Sequence, residues 1–178
     1  MIVAGEITTI GGHTPNPIAE INLTNGAANT LWNPNANSSV LSIEISGGTL
    51  YLAGQFTDDQ GQARNRIAAL QLSSGNVLSW NPNASNTVNA LAVHDGVVYA
   101  GGAFNSIGGQ LRNRIAAVDS VTATATAWNP NASATVQVLR WSGWSLYVGG
   151  DFFTIGGQPR SRVAELSPTT GLATAWNP

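Results

Sequence analysis

The chain has 178 residues, of which only 9% are charged, and its formal net charge is -2 with seven arginines and no lysine. Such a balance offers no basic field for a phosphate backbone, which argues against nucleic acid as a partner. Disulfides and thiolate chemistry are excluded because cysteine is absent. Apolar stretches stay far below the roughly 18 residues of a membrane span, and residues 1–6 show neither a basic start nor a long apolar stretch, so no signal peptide is visible.

The sequence Trp-Asn-Pro recurs four times, and neighbouring copies are always 48 residues apart. A fixed period of this length indicates a repeat array, either a solenoid or a propeller. Aligning on the tryptophans gives a partial unit and three full ones, so residues 1–178 are predicted to form a single array. We call them unit 1 (1–34), unit 2 (35–82), unit 3 (83–130) and unit 4 (131–178).

Along the chain, the short first unit is predicted to begin inside a repeat. Val3-Ala4-Gly5 aligns with Leu52-Ala53-Gly54, so unit 1 holds nothing that corresponds to residues 40–45. Each full unit is predicted to hold four short strands. Unit 3 is an example: runs of β-branched, aromatic and small apolar residues, separated by turn residues, cover 88–93, 97–100, 115–118 and 126–128.

No window of the chain shows helical periodicity over three turns, and Gly and Pro punctuate every unit. Four antiparallel strands in a 48-residue repeat predict an all-β fold, a β-propeller with about four four-stranded blades and about fifteen strands per chain. The sheet faces at both ends of such a stack would stay open. We therefore expect a homo-oligomer, a dimer in which two chains complete an eight-bladed ring.

A resemblance to a known family rests on a set of motifs that unit 3 shows completely. In unit 3 they are Val98–Phe104 (VYAGGAF), Ile107-Gly108-Gly109, residues 112–117 (RNRIAA) and residues 128–132 (WNPNA). Together they resemble the delta-60-type propeller repeat of bacterial surface and secreted proteins and, more loosely, Kelch repeats. The resemblance covers the whole chain. It implies Kelch-like blades in an extracellular or cell-surface setting, with no catalytic residues to carry over.

Large aromatic residues at fixed spacing have two interpretations. Trp32, Trp80, Trp128 and Trp176 are predicted to be structural, buried between blades, with Trp80 opposite Ala69 if Leu72 pairs with Val77. The alternative is one glycan-stacking site per blade, with amides from the asparagines that follow each tryptophan. Those asparagines are Asn33, Asn81, Asn129 and Asn177.

Two further tryptophans, Trp141 and Trp144, break the period. Trp144 replaces a turn glycine and should be partly exposed, which makes it the best single candidate for contact with a partner. Trp141, Asn81 and Asn129 are the other candidate ligand contacts. Asp58, Asp59 and Gln60 replace the Ser-Ile-Gly of unit 3 and could offer oxygen ligands to calcium, although their spacing fits no calcium loop. His13 and His94 are expected to be solvated turn residues.

Six arginines form three pairs, one in each full unit. Strand alternation would place both members of a pair on one side of a strand. They are expected to bind the protein's own acids, carbonyls or rings, and the alternative is a ring of anion sites for sulfated or carboxylated polymers. The pairs are Arg64 and Arg66, Arg112 and Arg114, and Arg160 and Arg162.

No nucleophile elbow occurs, and no histidine recurs beside an acid. We therefore expect a non-catalytic recognition or scaffold module without cofactor or metal. The alternative is a lectin-like propeller with one Trp-Asn site per blade, so the ligand would be a protein or a glycan.

Overall fold

The computed structural model describes residues 1–7, 10 and 17–178. The secondary structure elements of this part of the chain are all β-strands, and all strand pairs are antiparallel. No helix that could cross a bilayer occurs among these residues. The all-β prediction is confirmed. His13 lies outside the described residues.

Unit 1 contributes two strands, β1 (Ile2–Ala4) and β2 (Ile18–Glu20), with Val3 opposite Ala19. Its described residues contain no counterpart of the first strand of the full units. One edge of β1 therefore has no neighbouring strand in the part of the chain that the structure describes.

Each full unit contains a three-stranded sheet and a two-stranded ribbon. The strands of unit 2 are β3 (Val40–Ser46), β4 (Thr49–Gly54), the ribbon β5 (Asp58–Asp59) and β6 (Gln62–Ala63), and β7 (Ile67–Gln71). Those of unit 3 are β8 (Val88–His94), β9 (Val97–Gly102), the ribbon β10 (Ser106–Ile107) and β11 (Gln110–Leu111), and β12 (Ile115–Asp119). Those of unit 4 are β13 (Val136–Ser142), β14 (Ser145–Gly150), the ribbon β15 (Thr154–Ile155) and β16 (Gln158–Pro159), and β17 (Val163–Leu166).

The fourth predicted strand of each unit is reduced to one isolated bridge. In unit 2 the bridge joins Leu70 and Val77 instead of the predicted Leu72 and Val77, a shift of two residues. Trp80 therefore does not lie opposite Ala69. The equivalent bridges are Ile21–Ala28, Val118–Ala125 and Leu166–Ala173.

A β-bulge interrupts the first strand pair of every full unit, and glycine is required opposite it. The register of β8 against β9 shifts between Val88 and Ala90. A Cβ at Gly102 would collide with the carbonyl of Thr87, and Gly54 and Gly150 meet the equivalent carbonyls. A bulge with close backbone approach thus accounts for glycine at these three positions.

Strand alternation supplies the contacts between units, because successive side chains face opposite neighbours. On β9, Val98 and Ala100 pack in an apolar cluster shared with unit 2, whereas Tyr99 packs in the cluster shared with unit 4. A third cluster joins units 1 and 2. Among the described residues no apolar cluster joins unit 1 to unit 4. The core is thus divided into layers, each enclosed by two neighbouring units.

Candidate functional site

The repeated tryptophan joins each unit to the next one. Trp80 of unit 2 is only 6% exposed, and its ring meets the ring of Tyr51 edge-on at 5.2 Å between centroids. Its Nε1 donates a hydrogen bond of 2.9 Å to the carbonyl oxygen of Asp119 in unit 3. Trp32 and Trp128 are buried in the same way and donate to the carbonyls of Leu72 and Ser167. Burial and a satisfied indole N–H make this residue an anchor of the array.

The turn that receives the indole has a fixed backbone form, and we call it the indole socket (residues 71–77, 119–125 and 167–173). In unit 4 the Ser167 carbonyl accepts both the Trp128 Nε1 and the Gly171 N–H. Gly171 has φ 75°, and a Cβ there would lie 3.4 Å from the indole of Trp128. Tight approach of turn and ring explains the small residue at this point.

The tyrosines that contact the periodic tryptophans were not predicted from the sequence. Tyr51, Tyr99 and Tyr147 recur at the same 48-residue spacing as the tryptophans they contact. That shared period is the signal by which they could be found. The socket carbonyls left no such signal, because any residue type supplies a backbone oxygen.

Unit 4 presents the same tryptophan without a following unit. Trp176 is 41% exposed, although it keeps the edge-on contact with Tyr147 at 5.4 Å. Val138 and Val163 are also exposed. We call these four residues the open face of unit 4. They correspond to residues of unit 3 that pack against unit 4, namely Ala90, Tyr99, Ile115 and Trp128.

A carboxylate distinguishes the open face of unit 4 from the equivalent buried face of unit 3. Glu165 stands where unit 3 has the buried Ala117. Its carboxylate accepts a hydrogen bond of 2.6 Å from the Thr174 hydroxyl and one of 3.4 Å from the Tyr147 hydroxyl. Hydrogen bonds from Ser145 and then Thr174 hold the pKa of Glu165 below its usual range. The carboxylate is therefore tied to its own unit.

The arginine pairs do not lie on strands as expected. Arg66, Arg114 and Arg162 have φ between 64° and 68°, and their carbonyls accept the N–H of the bulge glycines. The first arginine of each pair forks onto two carbonyls of its own unit. Arg112, for example, donates 2.8 Å to Leu111 and 2.6 Å to Thr126. The two terminal nitrogens of each guanidinium are thus bonded within the unit, while the buried Nε has no hydrogen-bond partner among the described residues.

The two aperiodic tryptophans lie in different surroundings. Trp144, in the turn between β13 and β14, is 87% exposed. Trp141 is half-buried and stacks on the imidazole of His94 in unit 3 at 4.1 Å, so the prediction that His94 is a solvated turn residue is wrong. Trp141 thus contributes to the contact between units 3 and 4, and it does not form a joint exposed surface with Trp144.

The candidate asparagines lie at the surface, whereas the tryptophans that precede them are buried. Asn81 is exposed and donates 3.3 Å to the carbonyl of Ala63. Asn129 is exposed beside a shallow groove that also includes Pro130, Gly156 and Leu172. The neighbouring Trp80 and Trp128 are buried, so the structure separates the amides from the rings that glycan stacking would need.

The acidic turn of unit 2 holds the one fully buried carboxyl among the described residues. Asp59 is 0% exposed and replaces Ile107 and Ile155 of the next units. Its Oδ1 accepts the Asn35 N–H at 3.1 Å, while its Oδ2 has no partner. Burial raises the pKa of Asp59 to about 6 against the opposing influence of the Asn35 hydrogen bond and the Arg64 charge. No cluster of three His, Cys, Asp or Glu side chains that could hold a metal occurs in the described part of the chain.

With this geometry described, comparison with known proteins gives one family match. A family model described as "Domain of unknown function (DUF5122) beta-propeller" matches residues 94–116 and 145–169. The first segment includes β9 and reaches into β12, and the second includes β14 and β17. The match supports a β-propeller repeat. The narrower delta-60-type and Kelch-like resemblance stays a prediction.

Among solved structures, two computationally designed proteins are similar to this chain. Ika8 is 14% identical with a TM-score of 0.43, over 76% of this chain and 48% of that one. Ika4 is 13% identical with a TM-score of 0.42, over 74% of this chain and 92% of that one. The chain thus spans about half the length of Ika8. No curated protein matches it.

Proposed function

We propose that this chain is a non-catalytic interaction scaffold, a β-propeller array of four Kelch-like blades in which units 1–4 each form one blade. The faces at the two ends of the array are its contact surfaces. Ligand recognition would then use whole sheet faces instead of a pocket on the rim.

One observation carries the proposal: the periodic tryptophans serve contacts between units. Trp32, Trp80 and Trp128 are each at least 94% buried and hydrogen-bonded to the next unit. A lectin that uses one Trp-Asn site per blade would need these rings at the surface. Only Trp176, on the open face of unit 4, is partly accessible among the four.

The glycan-binding alternative is tested by titration calorimetry of the purified chain against a panel of neutral and acidic oligosaccharides. Two variants accompany the wild type: the double variant Asn81→Ala/Asn129→Ala and the variant Trp144→Ser. A scaffold shows no saturable heat with any sugar of the panel. Saturable binding that weakens about tenfold or more in either variant would overturn the proposal and favour a lectin. Circular dichroism confirms that the variants are folded.

A further inference from the structure

Neighbouring units are joined by a tryptophan of one unit that enters the indole socket of the next. Unit 4 carries an unused tryptophan of this kind, and unit 1 carries an unused socket. We infer that Trp176 of one copy inserts into the turn at residues 22–28 of a second copy, so that two chains associate head to tail. The inference rests on the proposed scaffold function and names its partner, another molecule of the same chain.

Unit 1 has an equivalent indole socket at residues 22–28, and no tryptophan of the described part of the chain lies in it. The Asn22 carbonyl accepts the Gly26 N–H at 2.8 Å, as the Ser167 carbonyl accepts the Gly171 N–H at 2.8 Å. Gly26 has φ 73°, close to the 75° of Gly171. In unit 4, however, Trp128 and Pro130 lie 3.4 Å from a Cβ placed at Gly171, whereas no described residue lies within 4 Å of a Cβ placed at Gly26. The Asn22 carbonyl is therefore placed to accept an indole N–H from outside the chain.

The walls of this socket also match the occupied ones. Ile21 and Ala28 form the same bridge as Leu166 and Ala173 in unit 4. A surface depression at this turn is lined by Met1, Ile21, Leu23 and Ala28, among others. Leu23 is 76% exposed. Polar Glu20, Asn22 and Asn29 complete its lining. The apolar side chains suit the face of an indole ring, and the Asn22 carbonyl can accept the N–H of that ring.

The open face of unit 4 supplies the matching half. Trp176 keeps the edge-on contact with Tyr147 that Trp128 makes with Tyr99, so its ring already has the orientation used in the internal joints. Exposed Val138 and Val163 extend the apolar surface beside it. The contact used between neighbouring units is thus offered in two halves, by Trp176 and by the turn at residues 22–28, and a second copy of this chain supplies both halves.

A contact of this type is heterologous, because each copy uses one end as donor and the other as acceptor. Two such joints in a dimer would close a ring of eight units. A single joint would leave an open pair. Both forms require the same two surfaces.

The test measures mass by light scattering at about 10 to 100 μM for the wild type and two variants. Trp176→Ser removes the inserted ring, and Leu23→Arg fills the entrance of the socket with a charged side chain. We expect the wild type at twice the chain mass of 18.4 kDa and each variant at 18.4 kDa. Trp144→Ser, which removes an exposed tryptophan away from both surfaces, should stay a dimer.

Light scattering of a mixture of the two variants is the decisive measurement. The Leu23→Arg chain keeps its Trp176, and the Trp176→Ser chain keeps its socket, so the equimolar mixture should form a one-to-one pair through a single joint. Wild type that remains at 18.4 kDa, variants that dimerise like wild type, or a mixture that stays monomeric would each overturn the inference. None of these results bears on the scaffold function, which is decided by the glycan titration.

Discussion

At the scale of single residues, Asp59 is the clearest conflict between local sequence and fold. The carboxyl lies where the next two units bury isoleucine, and its pKa is raised to about 6 from a usual value of 3.8. Below pH 3.8 the folded and unfolded chains both hold the proton, so the group has no effect. Between these values only the folded chain keeps it, and stability falls as the pH rises. Above pH 6 the full penalty is present.

The variant Asp59→Ile should therefore stabilise the protein more at pH 7 than at pH 4. Removing the buried charge contributes about 2 to 3 kcal/mol at neutral pH only, whereas the added apolar burial acts at both pH values. Urea unfolding at the two pH values measures both gains. Asp58→Ser, which adopts the residue of unit 3 at the neighbouring half-buried position, is the control: it leaves the Asp59 carboxyl buried, so its effect and its pH dependence should be much smaller. Equal gains from Asp59→Ile at pH 4 and pH 7 would contradict the pKa assignment.

The periodic tryptophans should differ in their contribution to stability according to their burial. Trp80→Ala opens a cavity between units 2 and 3 and removes a hydrogen bond, so it should lower the free energy of unfolding by about 3 to 5 kcal/mol. Trp176→Ala starts from a ring that is 41% exposed and should cost less than half as much at concentrations where the chain is monomeric. Denaturant unfolding compares the two. A loss below about 1 kcal/mol for Trp80→Ala would show that the ring is not an anchor.

At the scale of elements, the arginine fork replaces a fourth strand. After the bridge between Val118 and Ala125, the chain leaves the sheet, and the Thr126 carbonyl accepts from Arg112. A cationic donor thus holds a segment that one backbone bridge would hold weakly. The same fork occurs at Arg64 and Arg160.

We expect Arg112→Gln to release residues 124–128 without unfolding the rest of unit 3. Hydrogen exchange of the Thr126 amide, which donates to Ala117, should become about tenfold faster or more, because the charged hydrogen bonds contribute roughly 1.5 to 3 kcal/mol. Arg114→Gln, outside the fork, is the matched control. Unchanged exchange in the Arg112 variant would show that the bridge alone holds the segment.

The strands followed from local sequence, while the features set by a neighbouring unit did not. Residues 88–93 show a β pattern, and the strand observed there is Val88–His94. Residues 126–128 have the same pattern, yet no ladder forms, because the arginine fork takes a carbonyl there and Pro130 lacks an N–H. The sequence of residues 58–61 is typical of an exposed turn, and Asp59 is buried only because unit 2 folds its Asn35 loop over it.

At the scale of the whole molecule, each described unit shares an apolar cluster only with its sequence neighbours. Stability should then be a sum of unit and interface contributions, as in other linear arrays. Unit 3 is held on both sides. Unit 1 has one such interface and two short strands among its described residues.

Hydrogen exchange across the chain should therefore show graded protection. Amides of β1 and β2 should exchange through openings of lower free energy than amides of β9 and β12, because unit 1 can detach while units 2–4 stay folded. Trp32→Ala, which removes the anchor between units 1 and 2, should widen this difference and leave β9 unchanged. Uniform protection in both proteins would mean that the array unfolds as one cooperative body.

The placement of anchor and socket within a single unit bears on how such a chain can lengthen. Unit 3 carries both Trp128, which enters unit 4, and the turn around Asp119, which receives Trp80. Duplication of the part of the gene that encodes any 48 consecutive residues therefore copies one periodic tryptophan together with one indole socket. The new copy fits between its parents without compensating substitutions elsewhere. Insertion of a single residue into β9, by contrast, would exchange the side chains that face its two neighbours and disrupt both interfaces at once.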